Sequence, residues 1–161
     1  MRPRWHLLTL LLVPVACSSS EDRAEAAQAA LAAEHDRAVA DTLVMAEAQF
    51  EAAAFDSVTW ADTGEAVARG EVVFSYSCRK CHGQVGDGTG GFVAQGDTLR
   101  PPTLLAEDWR FRLDHEGLRR QIFVGTSNGM PHWGLEGLKP RDIDAVANYI
   151  RLSLRSATEE P

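Results

Sequence analysis

The pentapeptide CRKCH at residues 78–82 constrains this chain more than any other stretch. Two cysteines three positions apart, followed directly by a histidine, form the attachment site of a c-type haem. The spacing has a chemical reason. The thiols of Cys78 and Cys81 add to the two vinyl groups on one side of the porphyrin, and His82 beside them presents its imidazole to the iron from one face. Two other uses of the motif are a redox-active dithiol and half of a zinc site. A structural zinc site wants four ligands, with further Cys or His nearby. The only other cysteine is Cys17, and a glycine-rich loop follows the motif.

An iron held by His82 on one face needs a ligand, or an open position, on the other. The stretch GTSNGMPHWG at residues 125–134 puts Met130 between Gly129 and Pro131. Pro131 biases the residue before it away from helix, so Met130 sits on a stiff loop rather than in a helix interior. Of the other two methionines, Met1 leaves with an export signal and Met45 lies ahead of the haem motif. Met130 follows His82 by 48 residues, enough chain to wrap a haem and return over its second face. His132 is the competing ligand. Pro131 separates it from Met130, so both cannot face the iron.

The chain has 161 residues, enough for one modest core and an appendage. Its first 17 residues carry Arg2 and Arg4, an apolar run from Leu7 to Val13, and small residues up to Cys17. That run is too short to span a bilayer and reads as a secretory signal. The small residues before Cys17 resemble a bacterial lipoprotein cleavage box, in which Cys17 becomes the lipidated first residue. Pro14 departs from that pattern, and the alternative is an ordinary signal cleaved near Ser18. Either way the chain is exported to the periplasmic side: membrane-anchored through Cys17 in the first case, soluble in the second.

Charge divides the remainder. Residues 21–65 hold eleven acids against two bases, whereas residues 66–161 hold twelve of each. The acidic part argues against a nucleic-acid partner. It is rich in Ala and Glu, has no Gly or Pro from Glu21 to Ala61, and carries a thin apolar stripe through Leu31, His35, Val39, Leu43, Ala46, Phe50 and Ala54. Residues 18–61 are therefore expected to be a helical or disordered tether, helical over Glu21–Ala54 if continuous. The haem domain is expected at residues 62–156. Its first helix is capped by Asp62 with Glu65 three positions on. A second runs from Asp114 to Gly125. The last, with Pro140 in its first turn, buries Ile143, Val146, Ala147, Ile150 and Leu154. The glycine-rich segment after the motif is expected to be loop, and residues 99–105, with two prolines, extended.

From about residue 62 to 154 the chain resembles the class I cytochromes c. Gly70 and Phe74 in the first helix, CRKCHG at 78–83, RPPTLL at 100–105, NGMPHW at 128–133 and Tyr149 in the last helix carry the resemblance. It implies an all-α fold around one covalent haem c, its iron bound by His82 and Met130. The first and last helices would cross at Gly70, with Phe74 near Tyr149. The Pro102 carbonyl would accept a hydrogen bond from His82 Nδ1, and Leu104 would pack on the ring. Trp109, Arg110 and Trp133 are candidates for the propionates.

Met/His ligation in a dry pocket raises the reduction potential and leaves no open position for substrate. The leading expectation is a one-electron carrier in an extracytoplasmic respiratory chain. It would exchange electrons with a redox protein donor and acceptor, with Arg79 and Lys80 steering an acidic partner to the haem edge. The alternative is a permanent haem subunit of a membrane respiratory complex or dehydrogenase. A haem peroxidase or gas sensor would need the iron position that Met130 closes. No small-molecule substrate is expected.

Overall fold

A computed structural model describes residues 19–94 and 97–156. The export signal and Cys17 lie outside the described residues. The chain divides into two compact units, Met1–Arg37 and Ala38–Pro161. The described part of the first is almost entirely helix and exposed along its length. That helix, α1 (Ser20–Gln49), opens on a reciprocal cap. The Asp22 N–H donates to Ser19 Oγ at 3.1 Å, and the Ser19 N–H donates to the Asp22 carboxylate at 2.8 Å.

The second unit is all-α apart from one short ribbon. A 3-10 turn (Ala52–Phe55) precedes α2 (Thr63–Val73), which runs on through a π-helical turn (Phe74–Cys78) into α3 (Arg79–His82). After the ribbon come α4 (His115–Val124) and α5 (Pro140–Tyr149), the latter extended by a second π-helical turn, Ile150–Leu154. The caps are those read from sequence. The Glu65 N–H donates to Asp62 at 2.8 Å, and the Gly117 N–H donates to Asp114 at 2.7 Å. The ribbon falls where loop was expected. β1 (Phe92–Ala94) pairs antiparallel with β2 (Asp97–Leu99), Phe92 opposite Leu99. Phe92, Val93 and Thr98 favour extended backbone locally, and that suffices for three residue pairs.

The crossing of α2 and α5 organises the core. Val73, Phe74, Ile143 and Val146 are its largest fully buried side chains. A Cβ on Gly70 would collide with the Ala145 carbonyl oxygen and stand 2.6 Å from Tyr149 Cβ, so only glycine lets the two backbones meet. The Phe74 and Tyr149 rings pack just beyond, centroids 5.4 Å apart. All five residues expected on the apolar face of α5 are buried.

Part of the expected tether packs with the helices that follow it. The second unit opens at Ala38, not near Asp62, and residues of the expected tether lie in it. Ala46 is fully buried and Phe55 belongs to the core. The Phe50 ring meets the Phe123 ring of α4 edge-on at 5.5 Å. The apolar stripe on α1 is thin, yet its C-terminal part supplies the Ala46 and Phe50 that pack here. Its N-terminal residue Leu31 stays exposed.

A buried carboxylate ties this segment to α4 and α5. Asp144 accepts from Trp60 Nε1–H at 2.7 Å, His115 Nε2–H at 2.9 Å, Arg119 at 3.2 Å and Asn148 at 3.0 Å. Burial pushes its carboxyl up. Hydrogen bonds from His115 and Trp60, with the charges of His115 and Arg119, outweigh that and hold it below the ordinary carboxylate value.

In an exposed helix Gly→Ala gains about 1 kcal/mol. Gly70→Ala should instead destabilise the protein by about 1–3 kcal/mol through overpacking, read as a lower Tm by far-UV circular dichroism.

Candidate functional site

The helices enclose a cavity of about 490 Å³, within the usual range of roughly 300–1,000 Å³ for cofactor pockets. Cys78, Cys81 and His82 line one part of it, from the end of the α2 π-turn and α3; Met130 lines another, from the loop after α4. Residues far apart in sequence thus meet in one space, as the haem motif and the methionine loop require.

Local hydrogen bonds hold each part. The glycine-rich loop is tied back to α3, with the Gly88 N–H donating to the His82 carbonyl at 2.8 Å and the Gly91 N–H to the Cys81 carbonyl at 3.0 Å. The Met130 N–H donates to Thr126 Oγ1 at 3.2 Å, and the Thr126 N–H returns to the Met130 carbonyl at 3.1 Å. His132 does not line the cavity; its Nδ1–H donates to the Val124 carbonyl at 2.5 Å. The structure therefore separates the two competing ligands. Met130 lines the cavity, and the His132 imidazole is engaged by backbone.

Burial, with the neighbouring Cys81, pushes the Cys78 thiol up to about 12. A dithiol redox centre is built instead on a lowered thiol pKa. Among the described residues no group of three or more His, Cys, Asp or Glu is arranged to hold a metal ion. The zinc alternative has no further ligands here. Burial also lowers the His82 pKa, keeping its imidazole neutral with a lone pair to give.

One expected bond is missing. His82 Nδ1 is buried without a hydrogen-bond partner, so the Pro102 carbonyl does not accept from it. The Pro101 carbonyl lies against Gly88, where a Cβ would be only 2.6 Å away, and the exposed Pro102 lines the cavity. A buried polar atom left without a partner costs about 1–3 kcal/mol.

The rest of the lining fits haem. Leu104, Phe111 and Ile122 are buried apolar walls, and Trp109, Arg110 and Trp133 all reach the cavity as expected. Sequence reading missed Arg100. Among the described residues it and Arg110 are the only charged side chains on the lining, which carries no carboxylate, and that suits the two propionates. It also missed Arg155. That buried guanidinium donates to the Leu104 carbonyl and, at 3.1 Å, to the Ala106 carbonyl, fixing the backbone that carries Leu104. Arg100 has a readable signal, a base directly before the Pro-Pro pair. Arg155 has none, since it looks like a surface base at a chain end.

A family model described as cytochrome C oxidase, cbb3-type, subunit III matches residues 65–150. The chain belongs to this family. It is 33% identical over 93 residues to the cbb3-type cytochrome c oxidase subunit FixP of Bradyrhizobium sp. (strain ORS 278), covering 52% of this chain and 29% of that one. Subunit CcoP of Rubrivivax gelatinosus is 32% identical over 93 residues, covering 58% of this chain and 27% of that protein. The chain thus spans under a third of the length of these curated relatives. No solved structure matches it. As a member of the subunit III family it is a class I cytochrome c, an electron-transfer protein carrying covalent haem c.

Burial of Cys78 predicts a difference between the two thiols. In haem-free protein at pH 8, iodoacetamide should label Cys78 at least about tenfold more slowly than the half-exposed Cys81, as read by peptide mass spectrometry.

Proposed function

We propose that this chain is a haem-bearing subunit of a membrane-bound respiratory oxidase assembly, passing single electrons from a redox protein donor to an acceptor. The observation that carries the reading is the shared cavity with Cys78, Cys81 and His82 on one part and Met130 on another. The family and the printed names of the relatives support an oxidase subunit, the alternative reading, over a freely diffusing carrier.

Cys78 and Cys81 would attach the haem through thioethers, and His82 and Met130 would be its axial ligands. Bound there, haem supplies one-electron Fe(III)/Fe(II) cycling. The chain's own residues do the rest. His82 enters as a neutral donor. Thr126 holds the backbone of Met130, and Val124 keeps His132 away. Leu104 and Phe111 exclude water, and Pro102 closes the lining near His82. A dry pocket with a thioether ligand favours a raised potential. Arg100 and Arg110 would meet the propionates. Arg79 and Lys80, exposed beside Cys81, form a basic rim for an acidic partner. With His82 and Met130 both holding the iron, neither peroxidase chemistry nor gas binding would be expected.

In the described residues no helix is long and apolar enough to cross a membrane. Anchoring through lipidated Cys17 is the proposed attachment. Such an anchor holds firmly because it carries more than one acyl chain.

Two measurements test this reading. Haem should stay on the polypeptide through acid–organic extraction. Met130→Ala should lower the potential, open the iron to exogenous ligands and allow peroxidase side activity, while His132→Ala keeps the low-spin spectrum. The reverse pattern would transfer the ligand role to His132. For the anchor, Cys17→Ser should move the protein from the membrane to the soluble periplasmic fraction. Unchanged partitioning would rule the lipid out.

A further inference from the structure

We infer that the segment from Ala46 to Trp60 buttresses the Met130 loop through α4, and so sets how firmly the thioether is kept in the haem cavity. The segment lies ahead of the family-matching residues 65–150. The inference rests on the axial role of Met130 proposed above.

The loop is seated on the C-terminal end of α4. The Gly134 N–H donates to the Phe123 carbonyl at 3.1 Å, and His132 Nδ1–H donates to the Val124 carbonyl. At Gly134 any Cβ would run into the Phe123 ring, so loop and ring are in close contact. That same ring takes the edge of Phe50 at 5.5 Å. Phe123 therefore touches the loop and the upstream segment at once, and a gap at Phe50 is a gap behind the ring on which the loop rests.

The segment is itself held at several points. Phe50 packs on Phe55 at 5.9 Å, and the Arg119 guanidinium lies 4.9 Å over the Phe55 ring. Glu47 pairs with Arg120 of α4. Arg141 donates to the Thr59 carbonyl at 2.7 Å and covers the Trp60 indole at 3.9 Å, while Trp60 donates to Asp144. Fixed ends and a buried middle make this segment a brace.

Displacement of a loop ligand depends on how often the loop stands open, since apparent affinity for an outside ligand scales with the open fraction. Loosening the brace raises that fraction. Ferric, haem-loaded full-length protein is titrated with imidazole, following loss of the near-infrared sulfur-to-iron charge-transfer band. Removing one well-packed aromatic contact in Phe50→Ala should raise the apparent association constant about three- to tenfold. Phe50→Leu, which keeps apolar bulk but not the edge contact, should raise it less, though still by more than about twofold. Val73→Ala, in the α2–α5 core, should lower the Tm and leave the constant within about twofold of wild type. A constant for Phe50→Ala within twofold of wild type overturns the inference. So does an equal rise in Val73→Ala, which would make the effect one of global stability. If Phe50→Ala fails to load haem, Phe50→Leu is read alone against the same twofold limit. Met130→Ala separates the two readings: survival of the band there refutes the ligand assignment, whereas its loss beside a flat Phe50 series refutes the brace alone.

Discussion

Gly70 lies against the Ala145 carbonyl, and most of the domain follows from that contact. It brings α2 and α5 together at backbone distance, closer than any pair of side chains would allow. Cys78 then hangs from the far end of α2, and Ile150 from the far end of α5, and both line the cavity. The haem walls are thus extensions of the crossing. Packing at native density makes such a joint intolerant of even one added carbon. The cavity can remain open and apolar because the joint beneath it does not depend on it.

Two buried charges frame this core on different terms. Asp144 gathers four donors from three parts of the chain, and Arg155 is spent on backbone carbonyls behind Leu104. Buried ions left alone are costly; hydrogen-bonded from several sides they fix geometry. Asp144 fixes how the upstream segment meets α4 and α5. Arg155 fixes the loop that presents Leu104. Neither faces the haem cavity, and the lining keeps its own sparse charge of two arginines.

What could be read in advance was what is local. The haem motif is read from spacing alone; the caps at Asp62 and Asp114 and the apolar face of α5 follow from spacing and propensity, and these appear in the structure. The cross-chain contacts of Gly70 and of Phe74 with Tyr149 came from family resemblance, since spacing does not say where helices cross. What escaped was what composition disguises. An Ala/Glu-rich acidic segment looks solvated, and only three-dimensional placement shows that Ala46, Phe50 and Phe55 are buried or packed in the core. The choice between Met130 and His132 narrowed once a backbone carbonyl could be seen holding the histidine. The bond expected between Pro102 and His82 depends on loop orientation, which no sequence pattern encodes.

Both crossing helices end in π-helical turns, Phe74–Cys78 after α2 and Ile150–Leu154 after α5. Such a turn accommodates an additional residue, and one residue is worth about 100° of rotation around an α-helix. Each turn therefore acts as a phase shifter between joint and pocket. The crossing keeps its own angular setting, while what is presented beyond it is rotated to suit the ring. A one-residue deletion in Phe74–Cys78 that restored regular winding would leave the Gly70 contact in place and swing the cysteine pair and His82 by about a quarter of a circle. The fold would survive such a change far better than the address at which the haem is received.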